Sequence, residues 1–246
     1  FAGKGKKGEG HKKFFDDNLQ KPYNRAYNEI HSIKQTMSND YTALRKSMPE
    51  VTKQLRDKVR GSVYTVENAI RTYLWNKAGY EVPGMSKRDV KLLDNFVKSN
   101  EQLVAFAETL SAVTKLKEGY AKPKDYWLAE TITGDLQRLA DGHYRDLSLT
   151  EFKENREAIF GEWKAGRLIG ENMNKIEAAY GAKHRENIEG MLYAMETGQN
   201  RPYGTDAITN KWMNWINNAG GTIMFFNVKS SALQTISNIN YMNGTF

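Results

Sequence analysis

Residue types that could perform catalysis do not form a recognisable motif in this sequence. Gly3 and Gly8 have the separation of a phosphate-binding loop, but Glu9 stands where such a loop requires lysine followed by serine or threonine. No serine lies in a Gly-x-Ser-x-Gly turn, which would expose it as a nucleophile. We therefore predict no catalytic residue.

Metal and redox chemistry are not indicated either. The chain has no cysteine, which excludes disulfides and thiolate ligands. No two histidines are four residues apart, the spacing that places two ligands on one helical face. The four histidines are His11, His31, His143 and His184. We predict no metal site and no cofactor.

Acidic residues are frequent, and pairs such as Glu151 with Glu154 have a spacing typical of solvated helical faces. A glycosidase needs two carboxylates that face each other across a cleft, which spacing along the chain does not establish. We expect the chain not to be an enzyme. A peptidoglycan-degrading or other enzyme module is kept as a second alternative.

The net charge of +7 is concentrated at one end of the chain. Residues 1–60 contain 14 basic and 7 acidic side chains, whereas the remaining residues contain 22 of each. The densest basic tract lies within residues 1–13. Its lysines are Lys4, Lys6, Lys7, Lys12 and Lys13.

We expect residues 1–20 to form a flexible basic arm, because a glycine- and lysine-rich tract cannot bury apolar surface. These lysines could contact the phosphates of a nucleic acid without reading its bases. A solvated tail that has no dedicated partner has the same composition, so both interpretations stay open at this point.

From residue 20 onward, apolar residues recur at helical spacing and strand-like alternation is nearly absent. Serine and threonine residues, including Ser47, Ser86 and Thr150, are predicted to begin helices, and Gly79 and Gly198 to end them. The prediction is an all-α, irregular array of about eight to ten helices, with a helical domain over residues 21–198. Gly161, Gly166 and Gly170 are interpreted as a connector.

Residues 199–246 form a segment of different composition. From residue 205 onward it has only three charged side chains and eight asparagines, together with many aromatic residues. Aromatic enrichment with few charges is typical of the centre of a protein interface. Predicted interface residues are Trp212, Trp215, Met224, Phe225, Phe226 and Leu233. They could pack on this domain's own core or on a partner.

No segment of the sequence is predicted to span a membrane. The longest wholly apolar runs have five residues, Leu103–Ala107 and Met191–Met195, and Ile223–Phe226 has four, whereas a spanning helix needs about 18. The first residue is not methionine and no signal-peptide pattern follows it. We expect the chain to be a fragment of a longer polypeptide.

Two stretches resemble very large virion-associated proteins of tailed bacteriophages. One extends from Glu151 to Pro202, and the other from Asn214 to Asn240 with the string Trp-Ile-Asn-Asn-Ala-Gly-Gly-Thr-Ile-Met-Phe-Phe-Asn. The resemblance covers roughly the C-terminal 100 residues and includes no catalytic motif. It implies a structural or internal virion segment, of a kind that can be ejected with the genome.

The resemblance also implies partners and a location. Partners would be other virion proteins or other copies of the chain, with phage DNA as a partner of the basic arm. The chain would be made in the host bacterial cytoplasm and reside in the virion. Our hypothesis is a non-enzymatic helical scaffold segment, and the first alternative is a helical nucleic-acid-binding module that uses the basic arm.

Overall fold

A computed structural model describes residues 5–199 and Arg201, with side chains described from Glu9 onward. The all-α prediction is confirmed, since nine α-helices of eight or more residues lie within this part of the chain. The predicted interface residues of the C-terminal segment lie outside the described residues, and so does Lys4.

The α-helices are α1 (Gly5–Phe15), α2 (Lys21–Ser47), α3 (Pro49–Gln54), α4 (Val66–Lys77), α5 (Lys87–Lys98), α6 (Glu101–Thr114), α7 (Ile132–Leu139), α8 (Arg145–Ser148), α9 (Thr150–Phe160), α10 (Glu171–Tyr180) and α11 (Ala182–Thr197). A 3-10 turn covers Trp127–Ala129, and π-helical turns cover Asp16–Gln20 and Ala140–Tyr144. Two short antiparallel strands, β1 (Glu162–Lys164) and β2 (Arg167–Ile169), form a hairpin.

The described chain divides into two compact units. We call residues 34–139 the central unit. Residues 5–33, 140–199 and 201 form the terminal unit. The helical domain predicted over residues 21–198 thus includes parts of both units, and the boundary between residues 33 and 34 falls within α2.

The central unit has α4 as its most buried helix. Eight of the twelve residues of α4 are buried, and it packs mainly against α5 and α6. Thr65 and Asn68 form a reciprocal capping box that fixes where α4 begins. The largest apolar side chains of this core are Trp75, Trp127, Tyr120, Phe106, Ile70, Leu74, Leu93, Leu103 and Leu110.

Helix boundaries agree with the sequence at some positions only. The Ser86 hydroxyl accepts a hydrogen bond from the Asp89 amide and begins α5, and Gly198 ends α11 in a left-handed conformation, both as predicted. The predicted caps at Ser47 and Thr150 are wrong. Each of these hydroxyls instead donates to a carbonyl three residues earlier, and Met48 and Leu149 occupy the capping positions.

The N-terminal tract differs from the predicted flexible arm. Residues Gly5–Phe15 form α1, which leads into the π-helical turn. Phe15 stacks on Phe160 with ring centroids 6.4 Å apart, and Leu19 is buried in the same core. The arm prediction gave no weight to these apolar residues, which bury surface that the glycines and lysines cannot.

The terminal unit packs around one hydrophobic cluster. Its buried members are Leu19, Ala26, Ile30, Leu149, Phe152, Phe160, Leu168, Met173 and Leu192. Between α9 and α10 the chain forms the β1–β2 hairpin, whose turn residues Ala165 and Gly166 both have positive φ. The predicted glycine-rich connector is therefore a hairpin.

The two ends of the hairpin approach each other too closely for side chains. A Cβ on Gly161 would overlap the carbonyl oxygen of Ile169, and a Cβ on Gly170 would overlap that of Phe160. Gly161 also has a φ of +91°, which L side chains rarely adopt. Glycine is therefore required at both positions, Gly161 between α9 and β1 and Gly170 between β2 and α10.

Replacing Gly161 with alanine should lower the free energy of unfolding by at least about 2 kcal/mol, because the backbone must shift to remove the overlap. Gly142→Ala is the matched control, since its Cβ would meet nothing within 4 Å. We expect the control to change stability by no more than about 0.5 kcal/mol. Urea denaturation followed by circular dichroism measures both, and equal midpoints for the two variants would contradict the requirement.

Candidate functional site

The described lysines of the predicted nucleic-acid site lie on α1. Lys12 and Lys13 are exposed in the last turn of that helix, and Lys6 and Lys7 lie in its first turns. The Lys13 charge contributes to a lowered pKa of Asp17, although the hydrogen bond from Lys21 is the larger cause. Because Lys12 and Lys13 are exposed, their ammonium groups can contact a partner at the surface.

The central unit contains a buried ionic network that the sequence analysis did not identify. Arg71 on α4 and Asp135 on α7 are both fully buried. The Arg71 Nε donates to Asp135 Oδ2 at 2.6 Å, and Nη2 donates to Asp135 Oδ1 at 3.0 Å. This bidentate geometry satisfies both carboxylate oxygens at once.

Further contacts complete the coordination of this pair. Arg71 Nη1 donates to the carbonyl oxygens of Trp127 and Glu130, at 2.8 and 2.7 Å. The Tyr120 hydroxyl donates to Asp135 Oδ2 at 2.9 Å. Burial alone would lower the pKa of Arg71, but the Asp135 charge raises it above its usual value. The guanidinium is therefore held charged in the core.

Aromatic rings surround the guanidinium and exclude water from it. The Arg71 Cζ lies 4.8 Å from the ring centroid of Trp75 and 5.9 Å from that of Trp127. The two indole rings contact each other edge to face, with centroids 5.4 Å apart. Since cation–π attraction grows when the cation is desolvated, this arrangement offsets part of the cost of burying the charge.

Two more glutamates lie close to the buried pair. Glu130 Oε2 is 3.5 Å from the guanidinium of Arg138 and 3.9 Å from that of Arg71. Glu67 Oε1 accepts the backbone amide of Ile132, the first residue of α7, at 2.9 Å. Burial raises the pKa of both glutamates, so any stability they contribute is lost as the pH rises through the raised values.

The terminal unit has a second network, centred on Glu196 of α11. Arg156 of α9 donates from Nε to Glu196 Oε1 at 2.5 Å, and the Trp163 indole donates to Oε2 at 3.0 Å. Arg145 donates to the carbonyl oxygens of Glu196 and Met195, which α11 leaves without helical partners at its C-terminal end. One glutamate thus joins α8, α9, β1 and α11.

The same helix holds the second strand through a charged pair four residues apart. Glu189 Oε1 accepts the backbone amide of Leu168 at 3.0 Å, and Arg185 Nη2 donates to the Leu168 carbonyl at 2.6 Å. Arg185 also forms an ion pair with Glu177 of α10. Arg201 lies 2.8 Å from Glu189 and donates to the carbonyl of Gly166. These contacts fix the hairpin against α11.

Two pockets in the terminal unit are open to solvent and lined mainly by polar side chains. A pocket of about 270 Å³ in the terminal unit is lined partly by Arg145 and Glu196, which the second network already engages. A wider groove of about 620 Å³ lies beside α9 and is lined by Glu154, Glu157 and Glu162. Among the described residues, no group of three or more histidine, aspartate or glutamate side chains could hold a metal ion.

The sequence offered a weak signal for these networks. Arg71 and Asp135 are 64 residues apart, so no local spacing connects them. Arginine between apolar neighbours, as in Ala69-Ile70-Arg71-Thr72-Tyr73, indicates burial of a charge and hence a required partner. The Arg185–Glu189 pair has helical spacing, but such pairs are usually exposed. Neither pair was identified from sequence for these reasons.

Replacing Arg71 with methionine should lower the free energy of unfolding by about 3–5 kcal/mol, because Asp135 would remain buried without its main partner. Adding Asp135→Asn should restore part of that loss, since the uncompensated charge is then gone. The control is Lys53→Met in the exposed Lys53–Glu50 pair, which should change stability by less than about 0.5 kcal/mol. Urea unfolding measures all three variants. An Arg71→Met chain as stable as the Lys53→Met control would refute a structural role for the buried pair.

Comparisons with known proteins add no assignment to this site. No family model, curated protein or solved structure matches the chain. None of the helices in the described ranges is long and apolar enough to cross a membrane.

Proposed function

We propose that this chain is a non-enzymatic helical scaffold segment of a large virion protein of a tailed bacteriophage. The observation that carries the proposal is how the buried charges are used. Every buried charged side chain among the described residues forms hydrogen bonds or ion pairs within its own unit. These side chains are Arg71, Asp94, Asp135, Arg145, Arg156, Arg185, Glu189 and Glu196.

This use of charge supports scaffolding because two of the pairs join segments that are distant along the chain. Arg71 binds a residue 64 positions away, and Arg156 binds one 40 positions away. A catalytic acid or base instead has to direct its proton toward a substrate in a cleft. The buried side chains of both units are directed toward backbone carbonyls and oppositely charged partners of the same unit.

The resemblance to large phage proteins supports the assignment to a virion. In this proposal, the charge-poor residues 205–246 pack against other virion proteins or other copies of the chain. Left uncovered, a segment of this composition would expose more apolar surface than a soluble monomer normally tolerates. The polypeptide is made in the host bacterial cytoplasm and is carried in the particle, and the segment described here contributes rigid helical units to it.

Mass spectrometry of purified particles, from the phage whose genome encodes the chain, tests the proposal directly. We expect peptides from residues 150–195 at a constant ratio to the capsid protein across density-gradient fractions. Absence of these peptides from particles would overturn it. A zymogram of the purified chain on peptidoglycan is the second measurement, and a clearing band that Arg71→Met abolishes would favour the enzyme alternative.

A nucleic-acid-binding module is the alternative that a specific observation favours. Lys12 and Lys13 are exposed on the last turn of α1, at the end of the most basic tract of the sequence. Phosphate contacts by these lysines would be independent of base sequence and sensitive to salt. Deleting residues 1–13 should then weaken retention on immobilised DNA at low salt, and equal retention by the truncated chain would exclude this arm as the binding element.

A further inference from the structure

A second concentration of positive charge, besides that of residues 1–13, lies on a short stretch of the central unit. Residues 45–60 contain six basic and two acidic side chains, a net of +4 out of the +7 of the whole chain. All six basic side chains are exposed. We call them the basic corner: Arg45, Lys46, Lys53, Arg56, Lys58 and Arg60.

Backbone and side-chain hydrogen bonds hold this stretch in one arrangement. The Thr52 hydroxyl is 3.0 Å from the carbonyl oxygen of Arg45, which ties the last turn of α2 to α3. The amide of Glu67 donates to the carbonyl of Leu55, and that of Val66 donates to Asp57, both at 2.9 Å. The basic corner is therefore presented by fixed backbone.

Two buried residues four positions apart anchor this stretch and leave the charges between and beside them at the surface. Leu55 and Val59 are buried in the core of the central unit, at 7% and 3% exposure. The Val59 amide donates to the carbonyl of Tyr64, closing a tight turn in which Gly61 has a φ of +77°. Lys58 and Arg60 flank the buried Val59, so the turn keeps both of them at the surface.

These charges are largely unneutralised within the described residues. Lys53 is paired with Glu50 at 2.8 Å, and this pair is exposed. Across residues 5–199 and 201, the other five basic side chains have no carboxylate within the 4.0 Å of an ion pair. Glu67 acts on Arg56 only through longer-range attraction. The corner thus has the charge and the donors to bind an anion.

We propose that the basic corner binds the phosphate backbone of duplex DNA. Guanidinium and ammonium groups are donors only, and they can contact phosphate oxygens without reading base edges. The one aromatic residue among residues 45–65 is Tyr64, which stacks on Trp127 at 6.1 Å and is half-buried. Stacking on unpaired bases is therefore not provided, which favours a duplex over a single strand.

The composition of the corner also favours DNA over an anionic membrane. Surface-binding segments of proteins insert several aromatic or leucine side chains below the lipid headgroups. Only Val63, which is 76% exposed, could do so from this turn. The corner is separate from the lysines of residues 1–13, so its binding does not depend on the N-terminal tract.

The test uses the 246-residue chain, with and without residues 1–13, and a fluorescent duplex of about 30 base pairs at about 50 mM salt. Arg56→Gln, Lys58→Gln and Arg60→Gln are combined in one variant. We expect at least a tenfold loss of affinity in fluorescence anisotropy, and a salt dependence shallower by up to about three units of slope. The loss should appear in both chain lengths.

Two further variants make the result specific. Lys117→Gln, Lys122→Gln and Lys124→Gln remove the same charge from exposed positions of the same unit, and should change affinity by less than about twofold. Arg56→Lys, Lys58→Arg and Arg60→Lys keep the charge and should retain binding. Thermal melts of all variants establish that folding is unchanged.

Three outcomes would overturn the proposal. The first is a corner variant that binds the duplex as tightly as its matched control. The second is loss of all salt-dependent binding on deletion of residues 1–13 alone. The third is corner-dependent binding to phosphatidylserine vesicles by a chain that does not bind the duplex, which would assign the corner to lipid instead.

Discussion

The buried pair of Arg71 and Asp135 is the interaction on which the central unit depends. Removing two charges from water costs several kcal/mol for each ion, and their attraction repays this only when every donor and acceptor is satisfied. Here the carbonyls of Trp127 and Glu130 and the hydroxyl of Tyr120 supply the missing partners. The irregular segment between α6 and α7 therefore has a conformation that supplies hydrogen-bond partners to the Arg71–Asp135 pair.

The terminal unit meets the same requirement with a different geometry. Its buried charges lie on α8, α9 and α11, and several of them bind backbone groups that neither a helix end nor a two-stranded hairpin can satisfy internally. Arg145 covers the final carbonyls of α11, while Arg185 and Glu189 take both backbone groups of Leu168. A hairpin of two short strands is marginal in isolation, so its persistence requires these contacts.

Local features of the fold could be predicted from sequence, whereas its long-range chemistry could not. Helical periodicity and the Ser86 cap depend on residues within one turn of each other, and these were confirmed. The β1–β2 hairpin was not predicted because each strand has only three residues, too few to show an alternating pattern. Ala165-Gly166 nevertheless has the form of a two-residue turn. The partner of Arg71 lies 64 residues away and has no local signature.

Charge is used in opposite ways inside and outside the central unit. In its interior the Arg71 guanidinium donates four hydrogen bonds, two to the Asp135 carboxylate and two to backbone carbonyls. At its surface, the buried anchors Leu55 and Val59 hold Arg56, Lys58 and Arg60 outward, with no carboxylate among the described residues close enough to pair with them. Exposed like charges repel one another weakly in water, so these side chains do not contribute to the stability of the fold. The buried charges hold each unit together, so the exposed basic side chains of residues 45–60 are the groups of the central unit that can bind a partner.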